Sequence, residues 1–246
     1  MAAYLRKFFR WVPVSWKATL DYYFDRSLGK EFGGPFNGQI KRQEIFKGLV
    51  SAFPFTAIVE TGTFRGVTTA FMATESELPV FTVEYEPRFF HYATLGLKQL
   101  KNVKVFSGDS RKFIDELSHD RTVPKEGVFF YLDAHWNADL PLFDELEAIG
   151  RTWTNSVVMI DDFEVPDDAG YAFDDYGDGK KLSLEYISKL ASGWSVYFPL
   201  AKSKDDTGLR RGCVVLMSKE LQGIAAKVMS LRLFDSRESL QVSSTV

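Results

Sequence analysis

The stretch FTAIVETGTFRGVTTAFMATESEL, residues 55–78, changes character twice. It opens on a short run of β-forming apolar residues (55–60), passes through the glycine-containing ETGTFRG, and continues as VTTAFMATESEL, a segment of helical length. Gly62 and Gly66 let the backbone come close to a ligand, and the helix that follows aims its first N–H groups and its positive dipole end at an anionic group. The spacing is not that of a phosphate-binding loop, because no Gly-Lys-Ser/Thr follows. Nor is it a dinucleotide fingerprint, since Phe64 stands where the second glycine must admit a pyrophosphate. Four further runs repeat the opening strand: PVFTVE (79–84), VKVFSG (103–108), VFFYLD (128–133) and SVVMID (156–161). Helical stretches such as PRFFHYATLGLKQL and LPLFDELEAIGRTW lie between them. Strand and helix alternating five times predict right-handed βαβ units and a doubly wound α/β sheet.

The remaining chain fits around that unit. With 246 residues, 45% apolar and 26% charged, the chain suits one large domain with an appended arm. That apolar content excludes intrinsic disorder, and no run reaches the ~18 apolar residues of a membrane-spanning helix. The single cysteine, Cys213, allows neither an internal disulfide nor a Cys-based zinc site, which points to a reducing, cytoplasmic setting. A formal charge of −3 argues against a dedicated nucleic-acid binder.

That charge is unevenly spread. The first twenty residues carry +4, interleaved with Tyr4, Phe8, Phe9, Trp11 and Trp16. Such a segment suits peripheral contact with an anionic membrane, or a helical arm packed on the domain or on the second subunit of a homodimer. Between Asp161 and Asp178 lie eight acids and no base, mixed with Tyr171, Phe173 and Tyr176. This reads as a long loop beside the site, with rings to stack on a sugar face and carboxylates to accept from hydroxyls, or as a solvated acidic loop. Arg210 and Arg211 are placed to reach it. Towards the C-terminus, a helix is expected around 180–191. WSVYFPL (194–200) and GCVVLMS (212–218) read as an antiparallel hairpin, and 219–234 as a last amphipathic helix.

Several polar residues fall at the carboxyl ends of strands. Glu84 follows Glu60 by twenty-four residues and is suited to accept from both hydroxyls of a ribose; Glu86 is the near alternative. Asp109, in GDSR, faces the same ligand or else caps the next helix together with Ser110. Asp133 ends the fourth run, and Asp161 and Asp162 end the fifth, one βα unit later. Three hard oxygen ligands with open positions suit Mg²⁺, which could hold and acidify a hydroxyl. His135 is the candidate base, with metal-site neighbour and structural histidine as the other roles. His91 and His119 have no partner motif and are read as structural or solvated.

The E-x-G-x-x-x-G turn from Glu60 to Gly66 resembles the first motif of class I S-adenosylmethionine-dependent methyltransferases. The Asp133 and Asp161-Asp162 spacing resembles that of their metal-dependent O-methyltransferases, of both the catechol and macrocin types. Asp162 is closer to the macrocin pattern, and the lysine of the catechol type is absent from LDAHW. PFNGQIKRQEIF, MIDDFEVP and TGLRRGCVVL resemble bacterial proteins of methyltransferase fold whose substrates are generally unassigned. The resemblance implies a Rossmann-like sheet of seven strands, the last antiparallel, over 51–218, with an N-terminal helical arm over 1–50 and a C-terminal helix and tail over 219–246. It implies S-adenosylmethionine bound by Glu60, Gly62, Thr63, Gly66, Thr68, Glu84, Asp109 and Ser110, Mg²⁺ on Asp133, Asp161 and Asp162, and catalysis by His135 and Asp133. The implied reaction is O-methylation of a small molecule or glycan. The competing expectation is a non-catalytic partner of this fold in surface-polysaccharide assembly, motivated by the basic aromatic arm.

Overall fold

A computed structural model describes residues 12–25, 27–135 and 139–234. Its centre is an eight-stranded sheet in the order β3-β2-β1-β4-β5-β7-β6-β8. The strands β1 (Ala57–Thr61), β2 (Val80–Glu84), β4 (Val128–Leu132) and β5 (Val157–Asp161) are buried at every position. That is why their sequences are nearly unbroken apolar runs rather than alternating ones. β3 (Val103–Ser107) is the edge of this parallel half and is half-exposed. Lys104 within it reaches over the ring of Phe81 and places a charge on the open edge.

Helices cover both faces. One layer contains α2 (Ile40–Ala52) and α3 (Val67–Ser76), with Phe36, Ile45, Phe46, Leu49 and Met72 buried against Phe129, Tyr131 and Met159. The other contains α5 (Ser110–His119) and α6 (Leu142–Thr152), closing on Phe130, Val158 and Ile160. α4 (Pro87–Leu97) links β2 to β3 and carries α1 (Val14–Phe24) on its outer side. That contact includes a bidentate Arg88–Asp21 pair at 2.7 and 2.9 Å and an edge-on Tyr22–Tyr92 contact. The expected membrane contact falls largely on residues 1–11, which lie outside the described residues. Among the described residues, no helix is long and apolar enough to cross a membrane.

The antiparallel hairpin is present as β6 (Trp194–Pro199) and β7 (Cys213–Ser218), with β7 inserted between β5 and β6. Cys213 is buried, as expected of an inert thiol in a strand. Two helical expectations need correction. Around 180–191, helix is limited to α7 (Ser188–Ala191). The backbone just before it is committed elsewhere, because Leu182 N–H donates to the Asp174 carbonyl and the Leu182 carbonyl accepts from Glu164 N–H. Over 219–234 a short α8 (Gln222–Ala225) is followed by an eighth strand, β8 (Leu231–Leu233), antiparallel to β6. Without β8 the last edge would be β6, and the strand also brings Phe234 edge-on to Phe198 at 5.6 Å. Residues 35–50, assigned by sequence to the arm, contribute Phe36, Ile45, Phe46 and Leu49 to the main core.

Candidate active site

The carboxyl ends of β1, β2, β4 and β5 meet at one edge. Its first half is the turn after β1. Gly62 has φ +86°, and a Cβ built on it would lie 2.2 Å from the Asp133 carbonyl oxygen, so only glycine lets the β1 and β4 ends approach this closely. Gly62 and Thr63 N–H both donate to the Val83 carbonyl, at 3.0 and 3.1 Å, which ties the turn to β2. Glu84, at the end of β2, accepts from Phe64 N–H at 2.6 Å and Glu86 N–H at 2.8 Å. Burial pushes its carboxyl above the usual range, and those backbone donors restrain the rise. Phe64 itself, with φ +49°, packs against Phe89 at 4.4 Å and Phe32 at 5.7 Å, with the Arg65 guanidinium 4.5 Å over its ring.

The other expected cofactor residues divide by position. Glu60 is fully buried behind the turn and accepts from Thr69 Oγ1 at 2.5 Å and Thr82 Oγ1 at 2.6 Å, joining β1 to α3 and β2. Thr63 Oγ1 lies 2.6 Å from Thr82 Oγ1, and Thr68 Oγ1 accepts from Phe36 N–H at 3.1 Å. Asp109 is the N-cap of α5, accepting from Arg111 N–H at 3.0 Å and Lys112 N–H at 3.4 Å. The Arg111 guanidinium bridges Asp109 and Asp139 and, as the main cause, holds the Asp109 carboxyl low. Ser110 is buried at the first position of the same helix.

Glu60 carries a measurable consequence. Burial pushes its carboxyl up to about 7, against the two threonine hydrogen bonds, which lower it. A folded-state value above the unfolded one means that the stabilising form is the protonated one. Its contribution is complete below about 4.5 and is lost as the pH rises through 7. Glu60→Gln keeps an acceptor for both hydroxyls and removes the ionisation. Urea unfolding is expected to find the variant more stable by on the order of 3 kcal/mol at pH 8.5 and level with the parent at pH 4. Equal midpoints at pH 8.5 would contradict this account.

The second half of the edge gathers Asp133, His135 and Asp162, whose ligand atoms all lie within 4.8 Å of one another. His135 Nε2 stands 3.7 Å from Asp133 Oδ1 and 3.7 Å from Asp162 Oδ2, and it is buried without a hydrogen-bond partner. Burial and the charges of Asp161 and Asp162 push the Asp133 carboxyl well up. Burial works the same way on Asp162, but His135 and Arg211 outweigh it and hold that carboxyl down to about 2. Arg211 Nε donates to Asp162 Oδ1 at 2.5 Å, and the same guanidinium pairs with Asp174. Tyr176 OH donates to Asp174 Oδ2 at 2.6 Å and lies 3.2 Å from the His135 carbonyl, so this end of the acidic loop folds over the cluster. The other end is drawn away: Asp167 pairs with Lys202 and Arg232, and Asp168 accepts from Ser203.

Asp161, the remaining carboxylate of the expected trio, is not in that group, although its charge still acts on Asp133. It is fully buried, ion-paired with the equally buried Arg42, and accepts from Tyr131 OH at 2.5 Å, Asp162 N–H at 2.7 Å and Asn37 Nδ2 at 3.1 Å. Arg42 also donates to the carbonyls of Arg211 and Gly212. Sequence reasoning missed Arg42, though a signal was present. It precedes Ile45, Phe46 and Leu49 by three, four and seven positions, the spacing of one helical face, and all four are buried. A lone arginine on an apolar face needs a buried anion.

The mostly parallel sheet, whose glycine turn after β1 opens at the edge where polar residues gather, is a fold shared with solved methyltransferases. Among solved structures, an O-methyltransferase from Bacillus cereus in complex with SAH is similar, with a TM-score of 0.52 at 16% identity over 73% of this chain and 81% of that one. TomG, an O-methyltransferase of Streptomyces achromogenes involved in tomaymycin synthesis and solved with SAM, gives 0.50 at 15% over 84% and 90%. Cofactor-bound Rv0187 from MTB gives 0.51 at 16% over 85% and 98%. At such identities the likeness is one of fold. No protein-family model and no curated protein matches the sequence.

Proposed function

We propose that this chain is an S-adenosylmethionine-dependent methyltransferase that methylates a hydroxyl of a small molecule or glycan with the help of a divalent cation, Mg²⁺ on the sequence expectation. The observation that carries the reading is the shared edge. Glu84 is fixed beside the Gly62–Gly66 turn by the Phe64 amide, and the cluster of Asp133, His135 and Asp162 stands across Gly62 from it. S-adenosylmethionine supplies a methyl on sulfonium sulfur, which the acceptor oxygen takes as the carbon–sulfur electron pair returns to sulfur. When bound, a divalent cation supplies Lewis acidity toward the acceptor oxygen.

The chain's own residues orient the reactants. Glu84 retains lone pairs beyond its two backbone donors and offers them to ribose hydroxyls. Asp109, anchored by the α5 amides and Arg111, borders the nucleoside side. The fit of the second half to a cation rests on His135 Nε2, a buried polar atom left without a partner between two carboxylates. The sequence names His135 and Asp133 for taking the hydroxyl proton; with His135 Nε2 on the cation, the second oxygen of Asp133 is the group left to take it. Tyr176 and Asp174 form the wall that an acceptor would meet, a ring and a carboxylate suited to a polyol.

Calorimetry with S-adenosylhomocysteine tests the reading. The folded parent protein is expected to bind it, and Glu84→Ala to bind about tenfold to hundredfold more weakly, the cost of one or two hydrogen bonds to a charged acceptor. No binding by the folded parent would remove the proposal.

A further inference from the structure

We propose that the cation site of this chain is the facial set Asp133 Oδ1, His135 Nε2 and Asp162 Oδ2, with Asp161 excluded, and that it selects a first-row transition divalent ion of the Mn²⁺ to Zn²⁺ series over Mg²⁺. The inference deepens the cation half of the reading above and rests on that reading for the purpose of the site, while cation binding itself is measurable without any methyl acceptor.

Two independent observations carry it. The first concerns His135. Its Nε2 is buried, has no hydrogen-bond partner, and is equidistant at 3.7 Å from one oxygen of each flanking carboxylate. That distance is too long for a hydrogen bond. Two ligands each about 2.1 Å from a common ion lie about 3.0 Å apart at a right angle and about 3.4 Å apart at the tetrahedral angle, so small side-chain adjustments bring all three atoms onto one ion. A buried imidazole with an idle nitrogen is otherwise costly.

The second observation concerns Asp161. Its oxygens already accept from Arg42, Tyr131 OH, the Asp162 amide and Asn37, in a position with no exposure. Recruiting it to a cation would leave the Arg42 guanidinium buried and unpaired. The turn at Asp162, with φ +53°, aims its side chain at His135, and Arg211 on its other oxygen fixes the carboxylate's orientation.

Ligand chemistry then sets the ion. Mg²⁺ favours an all-oxygen octahedron, whereas an imidazole among the protein ligands shifts preference toward transition ions. The remaining positions would be open to water or to an acceptor oxygen. His135 acts here as a ligand through Nε2, which leaves that nitrogen unavailable as a base.

The test uses the full chain with MnCl₂ as probe. Mn²⁺ is expected to bind one site per chain, at least tenfold more tightly than MgCl₂ competing for it. Pulsed electron paramagnetic resonance of the loaded parent protein is expected to show nitrogen coupling from a directly bound imidazole. In His135→Gln the coupling vanishes and affinity falls about tenfold or more. In Asp162→Asn affinity falls comparably, whereas Asp161→Asn keeps the nitrogen coupling. Absence of nitrogen coupling in the Mn²⁺-loaded parent overturns the proposal even if a variant fails to fold, and so does equal competition by Mg²⁺. S-adenosylhomocysteine binding in the absence of cation, measured on the same preparation, separates failure of the metal assignment from failure of the methyltransferase reading.

Discussion

Arg42→Met is expected to cost about 3–5 kcal/mol of folding stability at neutral pH, the loss typical of removing one partner of a buried ion pair. Both partners are withdrawn from water and the pair is the contact that ties α2 to the end of β5. Methionine fills the space of the aliphatic stem but leaves the Asp161 carboxylate with only three neutral donors. Burial already pushes that carboxyl up, and Arg42 is the chief restraint on the rise. In the variant it titrates higher still, so the protonated form is the one the fold tolerates. The sign follows: the deficit is largest at high pH, shrinks as the pH falls through the raised folded-state value, and is smallest below the unfolded-state value near ~4. Urea unfolding at pH 8 and pH 4.5 measures both. The double variant Arg42→Met/Asp161→Asn is expected to recover most of the loss, because no charge is then left alone. A single-variant deficit under about 1 kcal/mol at pH 8, comparable to a surface substitution, would show that the pair does not anchor the edge.

Gly62→Ala is expected to be comparably damaging through backbone geometry alone. Its Cβ would stand 2.2 Å from the Asp133 carbonyl oxygen and 2.6 Å from the carbonyl carbon, both main-chain atoms that cannot rotate aside. The left-handed backbone adds its own strain for a residue with a side chain. Relief requires β1 and β4 to separate at the edge, which moves the turn that carries the Phe64 amide and the stem that carries Asp133. Together these amount to a loss of about 3–5 kcal/mol in stability and about hundredfold or more in S-adenosylhomocysteine affinity. Gly66→Ala is the informative contrast. There the backbone is left-handed as well, with φ +77°, but the new methyl meets Leu97 Cδ1 at 2.8 Å, the far end of a side chain that can shift, so the cost should stay near ~2 kcal/mol, mostly backbone strain. Thermal unfolding and calorimetry on both variants check the ranking, and a reversal of their order would refute the close approach at Gly62.

The legible parts of this molecule were those set by local chemistry. Five strands announced themselves as short, mostly apolar runs, four of them buried throughout, and Gly62 marked the turn after the first of them. Glu84 could be placed because it ends a run that can only be a central strand. Asp109 was legible as either a ligand or a cap, and its cap geometry is evident in the bonds to Arg111 and Lys112. What escaped was pairing across long distances. The sequence offers Asp161 and Asp162 as equals, and nothing local shows that one is claimed by an arginine on a helix 119 positions earlier. Parity places Asp161 on the Val157 and Met159 face, but it gives Asp133 the same face through Phe129 and Tyr131 and so does not separate them. β8 escaped for a related reason, since LRL is too short to declare itself a strand until the open edge of β6 is there to receive it.

The floor beneath Asp162 is assembled from opposite ends of the polypeptide. Arg42 closes a loop of 119 residues on Asp161, and Gln39 closes one of 167 on Asp206. Loop-closure entropy grows only as the logarithm of length, so contacts this remote cost little more at equilibrium than nearer ones. They are nonetheless slow to find, and during synthesis Arg42 has no partner until the end of β5 has emerged and Gln39 none until residue 206 has. A nascent chain can therefore pair its parallel strands before Gln39 receives Asp206, whereas Arg42 receives Asp161 together with the last of those strands, so the contacts of Gln39 are among the last that the folding protein acquires.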